Sequence, residues 1–130
     1  MDVRALTADA VIDVDGEVVL LERDHPPFEG SWVLPGGFVE TDETAREACV
    51  REAREEVGVD VSVEGFVGLY DDPGRDERGN VSAAYRCSVV DGRLAAGEEA
   101  RRVAVYPPDD LPETGFDHAE IVSDAFDVGR

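Results

Sequence analysis

The sequence contains no lysine: all twelve of its basic residues are arginine, set against 31 Asp and Glu in 130 residues. The formal net charge is −19, and the acids run along the whole chain rather than gathering in a tail. Nucleic acid and anionic membranes carry the same sign and make poor partners for such a surface. Long apolar runs are missing as well; nothing approaches the roughly 18 consecutive apolar residues of a membrane-spanning helix. Met1-Asp2-Val3-Arg4 lacks the basic-then-apolar layout of a secretory leader, so the expected location is cytoplasmic. Cysteine is scarce. Cys49 and Cys87 belong to no CxxC pair and have no histidine companion, which predicts two free core thiols rather than a disulfide or a zinc site. With 42% hydrophobic residues and no repeat, low-complexity tract or linker, the chain reads as one domain, 1–130.

Dense carboxylates repel one another unless salt screens them. The charge balance therefore reads as adaptation to a salt-rich cytosol, as in salt-accumulating microbes. It speaks of habitat, not of reaction.

Apolar residues alternate through Leu6, Ala8, Ala10, Ile12 and Val14, then continue in Val18–Leu21, with the hairpin dipeptide Asp15-Gly16 between them. Pro26, Pro27 and Gly30 make a loop that ends at Trp32-Val33-Leu34, and Pro35-Gly36-Gly37 breaks the chain before Phe38. Thr44–Val57 is the one long helical stretch: Thr44-Ala45-Arg46-Glu47 fits a capping box and Gly58 a C-terminal cap. Strands are predicted over Val61–Tyr70, Val81–Val90 and Val103–Tyr106, with a polar loop 71–80 and a turn at Asp91-Gly92. A closing helix is predicted over Asp117–Phe126, burying Ala119, Ile121, Val122 and Ala125. Strands with one helix inserted and another at the end imply an α/β fold, a mixed sheet covered by helices.

On the helix, Glu55 and Glu56 fall about 60° and 40° to either side of Glu52, so three carboxylates share one narrow face. Ala45 and Ala48 lie on the same strip, where small side chains permit another backbone to approach; Pro35-Gly36-Gly37 is the candidate. Carboxylates this crowded call for a cation. Oxygen ligands without His or Cys favour Mg²⁺ or Mn²⁺, and Mg²⁺ is usually shared with substrate phosphates. Arg51 reaches Glu47 and Glu55 at four-residue spacing and would orient the acids rather than react.

In so acidic a chain a glutamate cluster alone means little. The spacing is what carries weight: Gly37, five residues, Glu43, seven residues, then Arg51-Glu52-Ala53-Arg54-Glu55-Glu56-Val57-Gly58-Val59. This fills every position of the signature of the Nudix hydrolases, which the sequence therefore resembles from about Thr7 to its end. The resemblance implies a Nudix-type α/β/α sandwich with the signature helix packed on a mixed sheet. It implies hydrolysis of a phosphoanhydride bond in a nucleoside diphosphate derivative. Glu52, Glu55 and Glu56, with the carbonyl of Gly36, would hold the metal, supported by Gly37, Glu43 and Arg51. Pro26–Trp32, Leu34–Glu40, Asp72–Gly79 and Phe116–Ala119 look like the ADP-ribose pyrophosphatase branch, whose products are AMP and ribose 5-phosphate.

An enzyme for oxidised nucleoside triphosphates is the alternative, and a non-catalytic nucleotide sensor a third. Arg75 and Phe28 are the expected substrate contacts. Asn80 stands where similar sequences often carry histidine. The general base is expected from Glu98, Glu99, Glu113 or Glu120, with Glu99 favoured. His118 could touch substrate or cap the last helix, His25 reads as a loop residue, and a homodimer is expected from the resemblance.

Overall fold

A computed structural model describes residues 1–127. Seven strands form one mixed sheet: β1 (Leu6–Val14), β2 (Glu17–Arg23), β3 (Trp32–Val33), β4 (Gly36–Phe38), β5 (Val59–Tyr70), β6 (Val81–Gly92) and β7 (Ala100–Tyr106). Two helices, α1 (Ala45–Val57) and α2 (His118–Phe126), cover it. The strand order is β3-β2-β1-β6-β5, with β4 added to β1 and β7 to β2.

The β1–β2 hairpin closes at Asp15-Gly16, both with positive φ (52° and 85°), the geometry that matches strand twist. Only two residue pairs join β1 to β2, because β1 diverges: its first half takes β4 on one side and its full length runs parallel to β6 on the other. That divergence opens the sheet beside Asp9 and Gly36, where the cleft forms.

Alternation on β1 and β2 sends side chains to two cores. Ala8, Ala10, Ile12, Val19 and Leu21 pack with Ala48, Cys49, Ala53 and Val57 of α1. Val11, Val18 and Leu20 pack on the opposite face with Ile121 and Val122 of α2, as period-2 strands between two layers require. The α/β/α arrangement is thus observed. The fold also brings Cys49 and Cys87 together; both are buried and free, with sulfurs 3.7 Å apart. Among the described residues no helix is long and apolar enough to cross a membrane.

Three local expectations change. Asp91 and Gly92 do not turn; they extend β6 by pairing with Asp60 and Val59. The last strand is longer than expected, starting at Ala100, because β2 offers it a full-length partner. In α2, Ala119 faces solvent and His118 is buried in its place.

Candidate active site

Helix α1 presents the acids. Thr44 caps it: its hydroxyl accepts from the Glu47 backbone N–H while the Glu47 carboxylate accepts from Thr44 N–H, and Gly58 ends it in the left-handed region. The buried face, Ala48, Cys49, Ala53 and Val57, fixes the helix rotation and so aims Glu52 and Glu56 at β4. The two glycines of β4 are required there. A Cβ on Gly37 would lie 2.5 Å from Glu52 Oε1, and one on Gly36 would lie 2.5 Å from the Ala8 carbonyl. Gly36 N–H donates to Glu56 Oε1 at 2.8 Å.

Arg51 organises the cluster. Its guanidinium donates to Glu43 (2.7 and 3.1 Å), Glu52 (2.8 Å), Glu55 (3.1 Å) and the Phe38 carbonyl (3.1 Å). The arginine holds Glu43 below the usual carboxylate range and is itself raised by these acids. It does not reach Glu56. Burial, then the hydrogen bond shared with Glu52, pushes Glu56 up to about 9 against the opposing Gly36 N–H. A desolvated pair of carboxyls on glycine backbone, with oxygen donors only, fits a hard divalent cation.

Glu55 is not part of that pair. It lies on Arg51, 56% exposed and outside the cleft lining. Among the described residues, no three His, Cys, Asp or Glu side chains stand as a ready-made metal cage. The structure brings Glu52 and Glu56 together and leaves Glu55 one salt bridge away.

The cleft, about 390 Å³, has a second wall of opposite character. Arg23 and Arg78 lie over the Phe116 ring at 5.4 and 5.7 Å. Arg78 is paired with Asp76 through two hydrogen bonds (3.1 and 2.9 Å). Burial alone would raise Asp76, but these bonds and the Arg78 backbone N–H outweigh it and hold it low. Arg23 has no ion pair among the described residues. It donates to the Pro27 carbonyl (2.6 Å) and meets His25 Nε2 at 3.1 Å, and burial plus the neighbouring Arg78 lower its pKa. Glu56, Glu99 and Asp24 act on it only through space, which leaves its guanidinium without a direct anionic partner.

The floor between the walls is polar and buried. Leu34 N–H donates to His118 Nδ1 at 2.9 Å, so Nε2 carries the proton, 3.6 Å from Asp9 Oδ2. Burial keeps His118 below its ordinary range, outweighing Asp9 and Asp117. Ser82 donates its hydroxyl to Asp9. Asn80 is 4% exposed, and its Nδ2 has no hydrogen-bond partner. Leaving such a donor unpaired costs about 1–3 kcal/mol.

The remaining expected residues fall out as follows. Arg75 reaches the cleft wall, but its guanidinium is engaged by Asp117 (2.8 and 2.7 Å) and by the Asn80 carbonyl (3.0 Å). Phe28 is 45% exposed and meets Phe116, the ring that lines the cleft, in a tilted contact with centroids 4.6 Å apart. Of the four candidate bases only Glu99 lines the cleft. His25 is more than a loop residue, since it lines the cleft between Asp24 and Arg23. Asp9 and Arg23 join the cleft without having been expected there, whereas Arg78 lies in the 72–79 segment that carries the resemblance. Asp9 offered one signal, an acid in the middle of an otherwise apolar strand.

Residues 3–125 match the NUDIX domain family. The chain is 40% identical over 121 residues, 92% of its length and 72% of the relative's, to an ADP-ribose pyrophosphatase of Methanocaldococcus jannaschii. It is 34% identical to the CTP pyrophosphohydrolase of Escherichia coli, covering 78% of this chain and 76% of that one. Among solved structures, the NUDIX domain of Shewanella oneidensis NrtR complexed with ADP ribose superimposes with a TM-score of 0.83 at 26% identity, covering 98% of this chain and 89% of that one. The intact glutamate helix, the glycine pair beneath it and these likenesses agree: the chain belongs to the NUDIX family of hydrolases.

Proposed function

We propose that the protein hydrolyses ADP-ribose to AMP and ribose 5-phosphate. The observation that carries this reading is the pairing of opposites in one cleft: Glu52 and Glu56 on one wall, Arg23 and Arg78 on the other. A diphosphate is the group that satisfies both, through a shared cation on one side and the Arg23 guanidinium on the other. The 40% identity to an ADP-ribose pyrophosphatase supports ADP-ribose as the particular diphosphate.

Glu52, Glu56 and the Gly36 carbonyl would hold Mg²⁺ or Mn²⁺, joined by Glu55 once it leaves Arg51. Bound there, the cation would polarise phosphoryl oxygens and acidify a coordinated water. Glu99 is proposed as the base. It takes a proton from water as the water oxygen bonds to phosphorus, and the bridging P–O bond breaks to release a phosphate monoester. Arg23 binds the non-bridging oxygens. Phe116, backed by Phe28, carries Arg23 and Arg78 over its ring and so sets the position of the basic wall. Arg75 positions the wall through Asp117 and Asn80 rather than touching substrate.

The proposal extends to setting: a cytoplasmic enzyme at high salt, supported by the charge of −19 without lysine. A homodimer is proposed with the β5 edge as its contact, supported by the exposure of Phe66 and Leu69 there.

A hydrolysis panel with Mg²⁺ or Mn²⁺ and product identification tests the reading. AMP from ADP-ribose at a kcat/KM above that for any nucleoside triphosphate is expected. Pyrophosphate released from CTP or 8-oxo-dGTP at higher efficiency would replace it with a triphosphate activity. Binding of ADP-ribose without turnover would point to a sensor.

A further inference from the structure

The cleft makes two unmet demands, and they differ in kind. Arg23 makes no ion pair among the described residues, its donors going to the Pro27 carbonyl and His25, and it suits phosphate oxygens. Asn80 is a neutral amide whose buried Nδ2 lacks any acceptor; among the described residues it is the one buried side-chain nitrogen or oxygen in that state. The charges near Asn80 are already matched. Arg75 is held by Asp117, and Arg78 by Asp76. The Asn80 backbone is fixed as well, its carbonyl accepting from Arg75 Nη1 at 3.0 Å. Asn80 lines the cleft, and a desolvated, unpaired donor that turns toward it selects a ligand bearing a neutral acceptor, because a ligand without one leaves the donor unsatisfied.

We propose that Asn80 is a specificity-determining residue whose Nδ2 donates to a neutral acceptor, a sugar hydroxyl or a base atom, on one of the two groups flanking the diphosphate. The assignment rests on the ADP-ribose reading above for the choice of probes. Anionic oxygens go to Arg23 and the metal side; Asn80 reads the uncharged part.

Asn80→Ala and the near-isosteric Asn80→Asp are compared with the unaltered enzyme in three measurements. These are kcat/KM for ADP-ribose, competitive inhibition by AMP and by ribose 5-phosphate separately, and thermal melting without ligand. Both variants keep the backbone carbonyl that Arg75 holds. Asn80→Ala is expected to lose about tenfold in kcat/KM, the scale of one neutral hydrogen bond. Inhibition by one product should weaken by a similar factor while the other is unchanged, and the affected product identifies the half that Asn80 reads. Melting should stay level or rise, since an orphaned donor has been removed. Asn80→Asp should lose at least as much activity.

Unchanged kinetics in both variants would overturn the proposal. So would a loss shared equally by both products together with a lowered melting temperature, which marks a merely structural residue. An enzyme inert toward ADP-ribose would overturn the substrate reading alone; the two variants are then compared on the nucleotide that is hydrolysed and on its two products.

Discussion

The two walls of the cleft are built in different ways. The acidic wall, Gly36 to Glu56, is a single stretch of chain in which a strand, a turn and a helix fold back on each other. The basic and aromatic wall is gathered from the end of β2, the loop before β6 and the turn before α2. One wall is local and self-correcting, with Arg51 holding four acceptors. The other depends on long-range packing to bring Arg23 and Arg78 onto one ring. On the proposed reading the metal-binding groups sit on the local wall and recognition on the assembled one, which is built from separate segments.

The largest effect is expected on the acidic wall. Glu56→Gln, which keeps size and removes the ligand charge, should lower kcat at least about a hundredfold. EDTA should abolish activity, and Mg²⁺ or Mn²⁺ should restore it. Glu47→Gln, on the same helix but in the capping box away from the cleft, should leave turnover nearly unchanged. Equal losses in the two variants would mean that helix stability, not the cation, governs the result.

On the basic wall Arg23→Ala should weaken kcat/KM by roughly 10- to 100-fold, the scale of a charge-assisted hydrogen bond. That loss should shrink at high salt, whereas the Glu56 loss should not. A salt-independent Arg23 effect would place it outside direct phosphate binding. Arg75→Ala should instead unfold more easily, by about 3 kcal/mol, because the removal strands Asp117 without its partner. Undiminished stability with a raised KM would return Arg75 to the substrate contacts.

Glu56 gives the local wall a pH signature. Its folded pKa, about 9, lies above that of an unfolded glutamate near 4.5, so the folded protein binds the extra proton across that window. Stability from this group is complete below about pH 4.5 and declines as pH rises toward 9. Denaturation in EDTA should therefore show a falling contribution between pH 5 and 8 that Glu56→Gln flattens and saturating Mg²⁺ removes. A variant with the same slope as the parent would show that Glu56 is ionised without metal.

The smallest and most diffuse effect concerns both walls and the surface around them. Raising KCl from about 0.1 M toward 1 M shortens the screening length from about 10 Å to about 3 Å, which should raise the melting temperature of so acidic a chain. A flat series would detach the charge of −19 from any salt adaptation.

What the sequence determined by itself was whatever a contiguous stretch could specify. The capped helix, the facing of Glu52 and Glu56, the glycines beneath them and the Asp15-Gly16 hairpin all follow from residue spacing, because helix and strand periods are local properties. What only the tertiary structure decided was the meeting of distant residues and the outcome of their competition for partners. Spacing puts Glu55 beside Glu52, yet Arg51 draws it out of the cleft. Arg75 looks like a substrate contact in a polar loop, yet Asp117, 42 residues on, engages it. Asn80 passes for a loop residue until burial removes its water and supplies no acceptor. A sequence shows which groups can pair, but desolvation and distance decide which of them do, and those exist only once the chain has folded.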